Sequence, residues 1–323
     1  MRVLVTGAGG MIGRKLVERL ITDGSLRGQR IETIHAVDIA APSFEGGAIE
    51  IVSQAVDFRD NASVPPLVDA RPDVVFHLAA IVSGEAEADF DKGYEINLGG
   101  TQALFDAIAR AEGYCPRVVF ASSIAVFGAP FPEKIGDTFA TLPLTSYGTQ
   151  KAIGELLLAD YTRKGLMDGI GLRLPTIVVR PGKPNLAASG FFSNILREPM
   201  AGKEAVLPVD EDVRHWMASP RSAVGFFMHA AQIDGARVGP RRNLTMPGLS
   251  MTVGEMIEGL RTFAGDEAVA RIRREPDETI RAIVKNWPRD FDPARATELG
   301  FTAESDFQDI LRAHAEDELG HGA

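Results

Sequence analysis

The sequence holds a single cysteine, Cys115. One thiol excludes an internal disulfide framework and a thiolate cluster for zinc or iron–sulfur. Positive charge is also scarce: 34 Lys and Arg stand against 44 Asp and Glu, a formal net charge of −10. Such a balance repels polyanions, so neither nucleic acid nor an anionic membrane is an expected partner. No apolar run reaches the roughly 18–20 residues of a membrane helix. The opening residues lack the charged lead and apolar core of a secretory signal. The six histidines form neither an H-x-x-x-H nor an H-E-x-x-H pair, so no metal is expected. These absences predict a soluble, cytoplasmic protein. What is present is ordinary globular usage, 45% hydrophobic and 24% charged, which excludes wholesale disorder. At about 150 residues per domain, 323 residues make two lobes.

Short β-branched runs at 2–5, 34–37, 74–78, 118–121 and 172–179 alternate with helical spacing at 12–21, 101–111 and 147–161. A further short strand is expected at 49–52. Strand–helix alternation predicts an α/β fold, a doubly wound parallel sheet of Rossmann type covered on both faces. Such a sheet binds ligands at the carboxyl ends of its strands. After residue 180 the texture becomes loop-like, then helical at 191–196. Residues 243–246 read as a strand that can return to the main sheet. Thr252 and Glu255 form a capping box, and 306–314 read as an amphipathic helix. The expected division is a cofactor-binding domain at 1–180 with a return segment at about 217–247. A smaller, discontinuous substrate lobe takes 181–216 and 248–323.

The turn after the first strand reads Thr6-Gly7-Ala8-Gly9-Gly10-Met11-Ile12-Gly13. Gly7 allows the sharp turn, Gly10 lets the backbone approach a pyrophosphate, and Gly13 lets the helix lie close to the strand. The helix start then offers free N–H groups and a positive dipole end to the anion. Asp38 ends the second strand, where a carboxylate takes the adenosine ribose hydroxyls and repels a 2′-phosphate; NAD is therefore expected over NADP. Asp57-Phe58 follows the third strand and suits a contact at the adenine edge. Farther on, Tyr147 and Lys151 stand four apart at a helix start, so phenol and ammonium share one face. Free tyrosine titrates near pH 10; a lysine charge beside it is expected to lower that value and make the phenol a base. Ser122-Ser123 lies some two dozen residues upstream at a strand end and offers a hydroxyl to the same substrate oxygen.

In combination these motifs resemble the extended short-chain dehydrogenases/reductases, the group that includes nucleotide-sugar epimerases and dehydratases. The likeness covers Thr6–Gly13, Asp38, Asp57, His77-Leu78-Ala79-Ala80, Asn97 with Gly100-Thr101, the Ser122-to-Gly128 run, Tyr147 to Lys151, and Leu299-Gly300-Phe301. It implies that Met11 and Ile12 meet the pyrophosphate, and that Asp57 and Phe58 hold the adenine. Leu78, Ala79, Ala80 and Asn97 are implied to line the middle of the cofactor, with Ser122 beside them. Pro175, Ile177 and Val178 are implied at the nicotinamide. Tyr147 is implied as general base, Lys151 as its partner and a ribose ligand. Lining up Val126-Phe127-Gly128 with the family's V-Y-G makes Ser123 the substrate-orienting hydroxyl, a one-residue shift to Ser122 staying open. By the same resemblance a homodimer is expected.

The chain also departs from the sugar-nucleotide members. The acidic pair that dehydratases carry before V-Y-G is Ile124-Ala125 here. The segment R-D-F-x-H-V-D-D appears as Arg214-His215-Trp216-Met217-Ala218-Ser219-Pro220-Arg221, and V-Y-G-P as Val178-Val179-Arg180-Pro181. Arginines added near a pocket suit a small carboxylate, which a guanidinium holds through two hydrogen bonds. Residues 185–199 with Arg214-His215-Trp216 resemble the family's sugar-acid dehydrogenases. That implies oxidation of the hydroxyl beside the carboxylate of a four-carbon sugar acid. Ser83, Asn185, Arg180 and Arg214 are the candidate substrate contacts beside Ser123 and Tyr147. A uronate dehydrogenase, a nucleotide-sugar epimerase that retains its NAD and a non-catalytic NAD sensor are the alternatives.

Overall fold

The computed structural model describes all residues except 61, 183–188 and 321–323. Seven strands form one sheet. In chain order they are β1 (Arg2–Thr6), β2 (Thr33–Asp38), β3 (Glu50–Ala55), β4 (Val74–His77), β5 (Arg117–Ser123), β6 (Asp168–Leu174) and, after a short β7 (Thr176–Ile177) and β8 (Arg214–Ala218) that lie outside it, β9 (Asn243–Thr245). Their spatial order is β3-β2-β1-β4-β5-β6-β9, and every pair is parallel. The order reverses between β1 and β4, and an open parallel sheet binds its ligand in the crevice at that point.

Alternate residues of each strand feed opposite cores, as the two-residue period requires. Val3, Val5, Ile34, Ala36, Phe76, Val119, Ile170 and Leu172 face one side, beneath helices α1 (Met11–Asp23) and α6 (Pro220–Gln232). Leu4, Val37, Val75, Val118 and Phe120 face the other, beneath α3 (Thr101–Arg110) and α4 (Ser146–Arg163). Between these stand a short α2 (Ser83–Ala88) after β4, and α5 (Gly190–Met200) after β7.

The expected continuous strand over 172–179 is in fact two. β6 ends at Leu174, Pro175 intervenes, and β7 leaves to pair with β8 in a second sheet of order β7-β8-β10, where β10 is Leu249–Thr252. Proline lacks the N–H that would continue the ladder. A separate apolar cluster lies beyond this break: Val178, Phe192, Ile195, Leu196, Met217, Val253, Met256, Ile257, Leu260, Ile310 and Leu311. It joins α5 to α7 (Val253–Ala264) and α8 (Phe307–His314). The Thr252–Glu255 capping box is formed at the start of α7.

The segment through α6 and β9 is stapled to the main sheet by buried charge. Arg117 Nη1 donates to the carbonyls of Ala230 (2.6 Å) and Ile233 (2.9 Å), at the end of α6. The guanidiniums of Arg117 and Arg242 share Asp168, each at 2.5 Å. No helix among the described residues is long and apolar enough to cross a membrane.

Phe76 is fully buried and meets Phe227 of α6 edge-on, with ring centroids 6.3 Å apart. Phe76→Ala therefore leaves a cavity between sheet and helix. It is expected to cost about 3–5 kcal/mol, read as a lower urea midpoint with an unchanged m-value.

Candidate active site

The crevice begins at the glycine turn. Gly7 has φ +74°, and a Cβ there would meet the Ala79 nitrogen at 2.7 Å. At Gly13 a Cβ would lie 2.0 Å from the Gly7 carbonyl, so only glycine lets α1 pack onto its own turn. Gly10 caps α1 with no side-chain acceptor, and the first turn carries no acidic residue. The N–H groups at Met11, Ile12 and Gly13 thus begin a helix whose positive end stays open to an anion. Asp38 Oδ2 accepts from the Gly9 N–H at 2.8 Å and Oδ1 from the Ile39 N–H at 2.7 Å, which fixes the carboxylate beside the turn. An anion-accepting helix end, a close-approach glycine turn and a carboxylate at the next strand end fit a dinucleotide.

Asp57 is held by Arg59, whose hydrogen bonds keep its carboxyl below the usual carboxylate range. The Phe58 ring does not reach outward. It is buried, a Cβ on Gly100 would meet it at 2.8 Å, and it stacks on His77 at 5.8 Å. An adenine contact from Phe58 is thereby restricted to its main chain. Leu78, Ala79 and Ala80 line the crevice floor, partly exposed. Asn97 is buried; its Oδ1 accepts from the Ile81 N–H at 2.8 Å, and its Nδ2 donates to Gln150 Oε1 at 2.8 Å. It shapes the loop after β4 and ties that loop to α4. His77 bridges Thr6 and Thr101 through its two ring nitrogens, at 2.8 and 2.9 Å. Thr101 donates onward to the Asn97 carbonyl, so the Nε2 of His77 carries the proton. Full burial holds this ring neutral, its pKa pushed down to about 3.

At the ends of β5 and β6 the reacting groups converge. Consecutive residues of an extended strand point to opposite sides, and this separates the two serines. Ser122 is buried and donates to Glu155 Oε1 at 2.6 Å; Glu155 in turn receives Arg173 bidentately, the closest contact being 2.7 Å. Ser123 is partly exposed, and its hydroxyl accepts from the Ala125 N–H at 3.1 Å. Ser123 therefore lies on the side where its hydroxyl favours the Tyr147 phenolate, whereas Ser122 turns its hydroxyl away into the sheet–helix interface. Lys151 is buried with its ammonium 5.0 Å from the centre of the Phe120 ring and 5.7 Å from that of Tyr147.

The electrostatic balance differs from the sequence expectation. Lys151 does not pull Tyr147 down; burial of the phenol dominates and pushes its pKa up to about 12. The groups that oppose this are the Arg180 charge and the Ser123 hydroxyl. Burial also pushes the Lys151 ammonium down to about 8, which weakens the charge it offers. Arg180 comes from the loop after β7 and is brought close enough to Tyr147 that each favours the other's charged form. Its Nε donates to the Ile177 carbonyl at 2.9 Å and an Nη to Ser189 at 2.8 Å.

Other candidates are placed elsewhere. Arg214 donates to the Ser250 carbonyl at 2.9 Å and pairs with Glu255 at 3.2 Å, on the rim of a groove of about 620 Å³ with Phe131, Lys285 and Arg289. That anchoring binds it to the α7 cap rather than to Tyr147. Arg221 pairs with Asp317 and Glu316 at the surface. Ser83 opens α2, partly exposed. The side chains of Pro175, Ile177 and Val178 are buried, and Ile177 and Val178 fall in opposite apolar clusters. Asn185 lies outside the described residues. Glu155 was missed, although its spacing of four from Lys151 and eight from Tyr147 puts it on the same helical face. Thr176, which bonds His215 at 2.6 Å, was missed too; nothing in its local sequence marks it.

A family model described as the NAD dependent epimerase/dehydratase family matches residues 3–233. The chain is 44% identical over 322 residues to a D-erythronate dehydrogenase of Cupriavidus necator, covering 98% of each chain. It is 39% identical to a D-erythronate dehydrogenase of Haemophilus influenzae, over 98% of this chain and 99% of that one. A solved structure described as the nucleoside-diphosphate-sugar epimerase from Agrobacterium tumefaciens superposes with a TM-score of 0.97 at 62% identity, covering 100% of this chain and 95% of that one. An L-threonine 3-dehydrogenase of Trypanosoma brucei shares the fold, with a TM-score of 0.84 at 22% identity over 98% and 96% of the two chains.

Because burial disfavours the phenolate, Tyr147 is expected to stay protonated beyond the normal range when only protein groups surround it. Ultraviolet difference titration of the wild type against Tyr147→Phe should show no tyrosinate from this residue below pH 10. A phenolate signal appearing near neutrality in the free protein contradicts this balance.

Proposed function

The chain belongs to the NAD dependent epimerase/dehydratase family, and on that premise we propose that it oxidises the 2-hydroxyl of D-erythronate to the 2-oxo acid. The observation that carries this reading is that Arg180, held on the loop after β7 by the Ile177 carbonyl and the Ser189 hydroxyl, bears a charge that favours the Tyr147 phenolate. A 2-hydroxy acid has its carboxylate and its reacting alcohol on adjacent carbons. A site for it needs a cation and a proton acceptor side by side, with the cation suited to a carboxylate's two oxygens. The two full-length relatives named for D-erythronate point the same way.

In this reading Arg180 takes the carboxylate while Ser123 and Tyr147 hold the 2-hydroxyl. Tyr147 removes the hydroxyl proton, and Lys151 supplies positive potential near the phenol. NAD, when bound, accepts the hydride from the carbinol carbon. The turn at Gly7, Gly10 and Gly13 with the start of α1 holds the pyrophosphate, and Asp38 the adenosine ribose. The rest of the protein's work is geometric, since the alcohol must meet base and acceptor together. The lobes divide as cofactor-binding (1–180 with about 217–247) and substrate-binding (181–216 with 248–323), with the reaction at their junction.

A nucleotide-sugar epimerase is the second reading, prompted by the description of the Agrobacterium relative. It predicts bound NAD that cycles without net reduction. Absorbance at 340 nm separates the two. With NAD and D-erythronate the wild type should accumulate NADH. Tyr147→Phe should lower turnover by about 10²–10⁴-fold, the usual weight of a general base, with NAD binding kept. Arg180→Met should raise KM steeply for the acid. Wild-type protein that yields no NADH from D-erythronate refutes the dehydrogenase reading.

The protein is further proposed to be a cytoplasmic homodimer pairing through α3 and α4. Leu156 projects from α4 with 70% of its surface exposed, an apolar residue on a helix otherwise bound to the sheet. Light scattering after size exclusion should give twice 34.7 kDa. Leu156→Glu should shift the population toward monomer; a wild-type monomer rules the pairing out.

A further inference from the structure

His215 stands in β8, in the row that replaces the family's acidic segment, and takes no part in the chemistry described so far. It is buried, stacked on Phe192 with centroids 5.2 Å apart and planes 5° apart, and tilted against Trp287. Both ring nitrogens have partners. Nδ1 lies 2.9 Å from the Pro288 carbonyl, and Nε2 lies 2.6 Å from the Thr176 hydroxyl. A carbonyl only accepts, so Nδ1 carries a proton. Burial keeps the ring neutral, its pKa pushed down to about 4, so Nε2 is bare and accepts. The Thr176 proton therefore points at His215. What the Thr176 oxygen has left to offer is a lone pair, and it can receive a hydrogen bond but not give one.

Thr176 is two residues beyond Leu174, which pairs in register with Ser123. It is partly exposed, whereas Pro175 and Ile177 on either side are buried. Arg180 Nε donates to the carbonyl of Ile177, the residue after Thr176, at 2.9 Å, so the guanidinium folds back over β7. The threonine hydroxyl thus belongs to the same cleft as base and guanidinium, on the side of the smaller lobe.

We propose that His215 is a positioning residue that locks the Thr176 hydroxyl as an acceptor, and that Thr176 reads a hydroxyl of the substrate beyond the carbinol carbon. The inference rests on the sugar-acid reading and deepens it. It makes the enzyme selective for polyhydroxy acids over 2-hydroxy acids with a plain alkyl chain. A hydroxyl fills the lone pair on Thr176, whereas an alkyl chain leaves a desolvated acceptor unpaired.

The test compares kcat/KM for D-erythronate with that for D-2-hydroxybutyrate on the same preparations. Both substrates report on the same active molecules, so partial misfolding cancels from their ratio. The wild type should prefer D-erythronate. Thr176→Val should reduce that preference by about tenfold or more, through D-erythronate alone; Thr176→Ser should keep it. His215→Phe, which removes the acceptor, should behave like Thr176→Val. His215→Gln can accept from Thr176 and donate to the Pro288 carbonyl, and should restore the ratio. An unchanged ratio in Thr176→Val, in an enzyme that still turns over D-erythronate, overturns the proposal while leaving the functional reading intact. A wild type that does not oxidise D-erythronate overturns both.

Discussion

Desolvation governs this site. Burial is the largest influence on Tyr147, Lys151 and Arg180 alike, and in each case it disfavours the charged form. A phenol, an ammonium and a guanidinium in open water would interact weakly, since water screens them. Tyr147 and Arg180 instead act on one another across a poorly screened interior. The same burial that makes Tyr147 a reluctant acid makes each neighbouring positive charge count for more. Reactivity then depends on which charges are present, and the fold sets that by deciding which side chains are packed there.

The packing is enforced by a second, fully paired set of charges behind the first. Glu155 lies on α4 with Tyr147 and Lys151, and it grips Arg173 of β6 and Ser122 of β5. One carboxylate thereby joins the helix carrying the base to the two strands whose ends carry Ser123 and the approach to Thr176. Removing one partner of such a buried pair costs about 3–5 kcal/mol, because the other is left uncompensated. The adjoining Asn97–Gln150 bond ties the loop after β4 to the same helix. Helix α4 is held by polar contacts at several points, so small errors in its position do not accumulate at the phenol.

Much of this was legible in the sequence because it is local. The glycine turn, the strand–helix alternation, the capping box at Thr252 and the four-residue spacing of Tyr147 and Lys151 each depend on neighbours along the chain. What was not legible depends on contacts distant in sequence. That Ser122 is not the free hydroxyl of the pair follows from Glu155, more than thirty residues on, claiming it. Arg214 lines a groove, but which groove was hidden: antiparallel pairing of β8 with β10 sets it beside the Glu255 cap. Phe58 was expected at the adenine from its place after the third strand, and the absent side chain of Gly100 opens the core slot that its ring fills. The direction of the Tyr147 shift escaped for the same reason: spacing reveals the lysine but not the burial that outweighs it.

In the proposed reading Arg180 would have two roles that oppose each other. Its charge favours the Tyr147 phenolate, and the same charge is what a substrate carboxylate seeks. A carboxylate docked on Arg180 cancels part of the field that the phenol feels, so substrate binding pushes Tyr147 back toward its protonated form. A pocket built on Arg180 alone would therefore bind its substrate at the expense of its base. In that reading Lys151, whose charge burial weakens, is the cation on the base's own helix that the substrate does not engage. It is four residues from Tyr147 on the same helix, it touches aromatic faces, and no carboxylate among the described residues pairs with it. The requirement for two cations of different kinds, one able to grip a planar anion and one compact and buried, follows from asking a single cleft to hold an acid and deprotonate an alcohol on the next carbon.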